Sequence, residues 1–344
     1  MKRKQFLKTA GAGAGSSLFL PFINRNDPEI NSIKRIKPKA LKAGDTIGLI
    51  APAGVVLDPD DFERMQKVLE EMELKVKFGK YVRSRHGYLA GKDKERAEDL
   101  NRFFSDPGID GILTVRGGWG SSRILPMIDF QQIKRNPKFF CGFSDITTLH
   151  LSIFKNTGLV TFHGPNGTSE WTIFTRNQFK KVAFGESDIV MKNPPKEVSS
   201  LVTIQKGKAK GLLFGGNLTI LTSLIGTGYL PDMKGSLLFV EDIGEPVYKV
   251  DRMLSQLKHA GILPHIAGFI FGRCTNCQES RPYSLTLGEV LKHYLKPIEI
   301  PAVYGKMISH DPNNLTIPIG IEAELDADSG TLTMLETAVL SGHS

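Results

Sequence analysis

Ser144, Glu241 and His310 are each placed where an apolar run ends, and a serine, a histidine and a carboxylate together can carry acyl transfer. Ser144 lies in Lys138-Phe-Phe-Cys-Gly-Phe-Ser-Asp-Ile-Thr-Thr-Leu-His150. Phe139 to Cys141 reads as a buried strand, and Ile146, Leu149, Ile153 and Phe154 follow at helical spacing. Gly142 between the two halves permits a sharp turn. A serine at such a handover has the geometry of a nucleophile elbow. The helix start behind it offers unpaired N–H groups and a partial positive charge to an oxyanion. Ser144-Asp145 is equally an ordinary helix N-cap. The pattern G-x-S-x-G is incomplete, because Ile146 stands at its last position.

Glu241 and His310 repeat the placement of Ser144, and the chain order Ser…Glu…His is permissible because triad order differs between folds. Both have plainer readings, as a turn acid and a loop histidine. His150, His163, His259 and His265 are rival bases, and Asp242 and Glu245 are rival carboxylates. Arg116-Gly-Gly-Trp-Gly-Ser-Ser-Arg123 is a second informative stretch. Gly117 and Gly118 let backbone approach a ligand closely, and their amides can form an anion-binding nest. A plain tight turn is the alternative. No Gly-Lys-Ser/Thr follows, so a phosphate loop is not supported. Ser121 and Ser122 on this loop are rival nucleophiles. Cys274-x-x-Cys277 matches half a zinc site or a redox pair, but no second pair accompanies it. No metal is expected, and these cysteines read as loop residues.

The elements that must position these groups alternate between strand and helix. Strands are expected at 45–52, 74–82, 110–115, 139–141 and 159–163, with helices at 59–72, 92–104, 124–128 and 146–154. The helix at 59–72 presents Phe62, Met65, Val68, Leu69 and Met72 on one face. Such alternation predicts a parallel sheet with ligands at the strand C-termini. Residues 186–210 read as a linker between domains. Beyond it strands are expected at 211–216, 236–240, 266–272 and 302–308, with helices at 217–225, 247–259 and 285–295. A hairpin over 315–335, turned by Asp326 to Gly330, ends the series.

The chain of 344 residues suffices for two domains, and 40% apolar residues supply a substantial core. Net charge is +8, but Lys2, Arg3, Lys4 and Lys8 contribute four of those charges. No basic stripe with interleaved aromatics is present, so nucleic acid is not an expected partner. Three cysteines make no disulfide framework. The basic start and the small, apolar run Thr9 to Phe22 read as an export signal, with an irregular lead-in up to residue 38. Arg3-Lys-Gln-Phe-Leu-Lys8 is similar to a twin-arginine signal with Lys4 replacing the second arginine. The expected location is therefore outside the cytoplasm, in the periplasm. The apolar run is too short to span a bilayer comfortably, so no stable membrane span is expected after processing.

From about Lys42 onwards the chain resembles the LD-carboxypeptidases of murein recycling, a serine peptidase family that also holds the microcin C immunity peptidases. The resemblance is carried by Val115-Arg-Gly-Gly-Trp-Gly-Ser-Ser-Arg123, Cys141-Gly-Phe-Ser-Asp145 and Thr161-Phe-His-Gly-Pro165. Phe214-Gly-Gly-Asn-Leu218, Leu238-Phe-Val-Glu-Asp-Ile-Gly-Glu245 and Asp251-Arg-Met-Leu254 carry it in the second half. It implies that Ser144 is the nucleophile, Glu241 the carboxylate and His310 the base. It implies an α/β fold: a parallel-sheet N-terminal domain over 39–185, then a smaller β-rich C-terminal domain over 211–344, with the site between them. It also implies a homodimer and no cofactor. The expected activity is a metal-independent serine carboxypeptidase that releases the terminal D-Ala of a murein tetrapeptide. The amide of Asp145 and one from Gly117 or Gly118 would hold the oxyanion. A microcin-immunity peptidase acting on a peptidyl nucleotide and a non-catalytic murein-peptide binder are the alternatives.

Overall fold

The computed structural model describes residues 33–279 and 282–340, so the stretch read as an export signal and the lead-in as far as residue 32 lie outside the described residues. The first half contains β1 (Thr46–Ile50), α1 (Asp60–Glu70), β2 (Lys75–Phe78), α2 (Asp93–Ser105), β3 (Gly111–Thr114) and α3 (Ser121–Ile124). It continues with α4 (Phe130–Arg135), β4 (Phe139–Gly142), α5 (Thr147–Thr157), β5 (Thr161–His163) and α6 (Ile173–Ala183). Next come β6 (Val190–Met191), β7 (Val202–Gln205), β8 (Lys208–Asn217), α7 (Leu218–Ser223), β9 (Leu237–Ile243) and α8 (Val247–His259). The chain closes with β10 (Gly268–Thr275), α9 (Leu287–Leu295), β11 (Ala302–Tyr304), β12 (Ile317–Ile319), β13 (Glu322–Asp326) and β14 (Thr331–Met334).

Two sheets organise these elements. The six-stranded sheet has the order β12-β5-β4-β3-β1-β2 and is parallel except for β12. Strands β3 and β4 are buried along their whole length, which is why they read as unbroken apolar runs. The eight-stranded sheet, β6-β14-β13-β8-β9-β10-β11-β7, is mixed, with β8 to β11 parallel at its centre. The parallel first sheet and strand-rich second half agree with the expected fold class. Among the described residues, no helix is long and apolar enough to cross a membrane.

Several local expectations change. Residues 164–183 carry no element in the sequence reading, yet α6 forms there. The hairpin over 315–335 is shorter than expected: β13 pairs with β14, while β12 leaves to pair antiparallel with β5 in the first sheet. The stretch 186–210 supplies both edge strands of the second sheet, β6 and β7. The lead-in docks at Ile36, which bridges Leu159. Strand β9 runs to Ile243, so Glu241 and Asp242 lie inside it and not beyond its end.

Helix α5 is buried on nearly every side and not on one face alone. The ring of Phe154 packs on Phe214 of β8 at 4.9 Å, and the Asn217 amide donates to Thr147 Oγ1 at 2.9 Å. Its buried hydroxyls are satisfied along its own backbone: Ser152 donates to the Thr148 carbonyl at 2.6 Å and Thr157 to that of Ile153 at 2.7 Å. Gly158, at φ 78°, ends the helix and returns its amide to Phe154. The elbow helix therefore stands where both sheets can fix it.

Candidate active site

Strand β4 delivers Phe143 in an extended conformation, and Ser144 makes the turn itself at φ 66°. A non-glycine residue held there costs on the order of 1–3 kcal/mol and persists only where its surroundings over-determine it. Those surroundings are visible. The Asp145 carboxylate accepts from the Ser121 amide at 2.8 Å, and the Asp145 carbonyl accepts from the Ser121 hydroxyl at 2.6 Å. Asn166 Oδ1 accepts from the Phe143 amide at 3.2 Å. His150 donates through Nε2 to the Gly142 carbonyl at 2.8 Å. Burial pushes the His150 pKa down to about 4, which keeps this ring neutral. Burial also raises the Asp145 pKa, against the Ser121 hydrogen bonds and the Arg96 charge.

Gly142 does not make the turn that the sequence suggested. It is the last residue of β4, and a Cβ there would lie 2.1 Å from Thr114 Oγ1. Close packing requires that glycine. Gly117 has the same kind of reason: its Cβ would meet Ser144 Cβ at 2.7 Å and Ser144 Oγ at 3.0 Å. Gly118 takes φ 99°, a left-handed conformation suited to glycine. The loop is clamped from behind. The Gly54 amide donates to the Gly117 carbonyl at 2.9 Å, and the buried Arg96 donates to the Gly120 carbonyl at 2.8 Å. Among the described residues, the amides of Gly117 and Gly118 donate to no backbone acceptor.

From the other side, Glu241 rises fully buried in β9, in register with Asn217 of β8. His310 follows β11 after the chain turns at Gly305, φ 93°. Its Nδ1 lies 2.7 Å from Glu241 Oε2, so Nδ1–H donates to the carboxylate and Nε2 is left for another partner. Burial disfavours the imidazolium, but the charge and hydrogen bond of Glu241, aided by Asp242 and Asp311, outweigh it and raise the His310 pKa. The Phe143 ring lies 4.7 Å from the imidazole. Asp242, the rival carboxylate, is occupied elsewhere. It accepts from Asn217 Nδ2 at 2.9 Å, the Thr219 amide at 3.0 Å, the Thr219 hydroxyl at 2.8 Å and the Ile243 amide at 2.9 Å. Glu245 stands 3.1 Å from Lys249 Nζ. The loop carrying His310 is held by Asp311, which accepts from Arg273 at 3.1 Å and Thr275 at 2.9 Å, and by Thr175 of α6, which accepts from the Asn314 amide at 3.0 Å. Helix α6 thus supports the site; the sequence reading misses it, although Thr172 as cap and Thr175, Phe179, Val182 and Ala183 at helical spacing could have found it.

Ser144, His310, Gly117 and Gly118 line one cavity of about 660 Å³, with Trp119 and Asn166 on its wall. The serine and histidine face the same space without a hydrogen bond between them, and Glu241 lies behind the histidine. Asp145 lies behind the serine, its side chain turned to Ser121. The rival groups are placed elsewhere. Ser121 is buried and Ser122 exposed; His150 and His163 are buried, His259 and His265 exposed, and none of the six lines the cavity. Cys274 and Cys277 form a disulfide, so neither thiol is available to a metal in this state. A hydroxyl at a strained elbow, an imidazole with its tautomer set by a buried carboxylate, and free amides beside them are suited to acyl transfer.

A parallel α/β half, a mixed-sheet half and a serine–histidine cavity between them define a class of two-domain hydrolase-like proteins. The chain belongs to the LD-carboxypeptidase family: the family's N-terminal domain matches residues 47–164 and its C-terminal domain residues 210–325. It is 42% identical over 312 residues to the "Probable murein peptide carboxypeptidase" of Bacillus subtilis, covering 89% of this chain and 96% of that protein. The microcin C7 self-immunity protein MccF superposes with a TM-score of 0.83 at 27% identity, over 89% of this chain and 100% of that one. The muramoyltetrapeptide carboxypeptidase from Oxalobacter formigenes superposes with a TM-score of 0.72 at 29% identity, over 84% and 97% of the two chains.

Proposed function

We propose that this chain is a serine carboxypeptidase that hydrolyses the L,D bond between the diamino acid and the terminal D-Ala of a murein tetrapeptide. The observation that carries the reading is the 2.7 Å His310–Glu241 pair facing, across one cavity, a serine held at φ 66°. Ser144 Oγ attacks the scissile carbonyl while His310 Nε2 takes its proton. The oxyanion is held by the amide of Asp145 and one from Gly117 or Gly118. His310 then gives the proton to the leaving D-Ala amine, and water, activated by the same imidazole, releases the acyl-enzyme. Glu241 fixes the tautomer and stabilises the imidazolium. Mass spectrometry of a tetrapeptide digest should show loss of one alanine residue with the wild type and none with Ser144→Ala. An unchanged tetrapeptide in both would refute the reading.

A peptidyl-nucleotide substrate is the second reading, favoured by the higher TM-score to MccF than to the muramoyltetrapeptide enzyme. Incubation with an aspartyl sulfamoyl nucleoside separates the two. We further propose an exported, periplasmic protein, supported by the Cys274–Cys277 disulfide, which persists in oxidising compartments. Cell fractionation tests this. The family resemblance supports a homodimer, which sedimentation equilibrium tests.

A further inference from the structure

Among the described residues, Arg116 is the single arginine or lysine that lines the cavity. Its Nη1 donates to the Val55 carbonyl at 2.8 Å, and it forms no ion pair among the described residues. The acids on the same wall do not neutralise it. Asp242 is consumed by its hydrogen bonds to Asn217, Thr219 and Ile243, Asp311 is paired with Arg273, Glu245 with Lys249, and Glu170, the fourth acid of the wall, is exposed and forms no ion pair with Arg116. Neighbouring guanidiniums differ: Arg96 and Arg123 both pair with Asp93, and Arg176 pairs with Glu71. An unpaired cation in a cavity wall is a group waiting for an anion.

Its position says which anion. Arg116 directly precedes Gly117, whose backbone packs against Ser144. An enzyme that removes a single C-terminal residue has the free carboxylate of its substrate one residue beyond the scissile carbonyl. We propose that Arg116 binds this terminal carboxylate, and that the contact makes the site select chain ends over internal bonds. The inference rests on the carboxypeptidase reading above and names the group within it that recognises the free end. A guanidinium has five donors in a fixed fork that matches a carboxylate. The Val55 carbonyl occupies one and holds the fork in place, which leaves donors on Nε and Nη2 for the ligand. The Gly54 amide on the Gly117 carbonyl ties the same two segments together, so the spacing from anchor to nucleophile is preset.

The experiment compares a murein tetrapeptide ending in free D-Ala with the same peptide ending in D-alaninamide, using wild type, Arg116→Met and Arg116→Lys. The wild type should prefer the acid on the order of 10²-fold in kcat/KM, the size expected for a charge-paired contact. Arg116→Met should bring the acid down to the level of the amide, mainly through KM, and Arg116→Lys should keep part of the preference. A preference that survives in Arg116→Met would overturn the anchor, as would a wild type that cleaves acid and amide equally. A wild type that cleaves neither would overturn the functional reading, and the anchor with it.

Discussion

Replacing Gly117 by alanine tests the tightest contact in the site. The added methyl would lie 2.7 Å from Ser144 Cβ, 3.0 Å from the Phe143 carbonyl oxygen and 3.0 Å from Ser144 Oγ. Carbon atoms in contact settle at roughly 3.5–4.0 Å, so one side must retreat by about 1 Å. Neither side yields readily. The Gly117 carbonyl holds the Gly54 amide at 2.9 Å, and Asp145, next to the serine, is held twice by Ser121. Overpacking of this kind costs about 1–3 kcal/mol. Whichever side moves, the serine hydroxyl and the Gly117 and Gly118 amides part company, and a shift of about 1 Å can cost on the order of 10² in rate. Gly117→Ala should therefore lose about 10²-fold in kcat, measured by D-Ala release, together with a lowered Tm. Gly288→Ala is the control: it lies in the first turn of α9 with nothing within 4 Å of its Cβ, and should change stability by no more than about 0.5 kcal/mol with activity intact. A Gly117→Ala variant within threefold of wild type at unchanged Tm would refute the packing argument.

Ser144→Ala should stay folded and lose about 10⁴-fold or more in kcat; more than a few percent of residual activity would move the nucleophile elsewhere. His310 must be neutral to accept the serine proton, so kcat/KM should rise with pH through its raised pKa. Glu241→Gln removes the charge that outweighs burial, and this acid limb should then move to lower pH; a limb that stays put would mean another carboxylate sets it. Glu241→Gln combined with His310→Ala should be about as slow as His310→Ala alone, because no imidazolium remains to stabilise; additive losses in kcat would separate the two residues. Thiol titration of the unfolded, unreduced protein should find Cys141 alone, and a count of three would remove both the disulfide and its support for export.

Local chemistry made some of this molecule legible in the chain alone. The change from an apolar run to helical spacing around Ser144 reports the elbow, because strand and helix periods are properties of neighbouring residues. The helix of residues 247–259 was recoverable to the residue for the same reason, since its buried positions Val250, Met253, Leu254 and Leu257 repeat on one face. Glycines were visible, but their reasons were not: Gly142 and Gly117 answer to Thr114 and Ser144, which come near them only in the folded sheet. Which histidine meets which acid was equally out of reach. Local sequence offers five histidines and three acids of similar standing, and His310 finds Glu241 across 69 residues because β9 and β11 flank β10 in one sheet. That Arg116 forms no ion pair among the described residues is of the same kind, since it shows only once its neighbours in the cavity wall are placed. Helix α6 was legible in principle, since Thr175, Phe179, Val182 and Ala183 repeat at helical spacing behind the Thr172 cap; the departure of β12 to the first sheet left no such trace, because long-range strand pairing decides it. Residue types set what chemistry is available here; the packing of two sheets around α5 decides which of those residues meet.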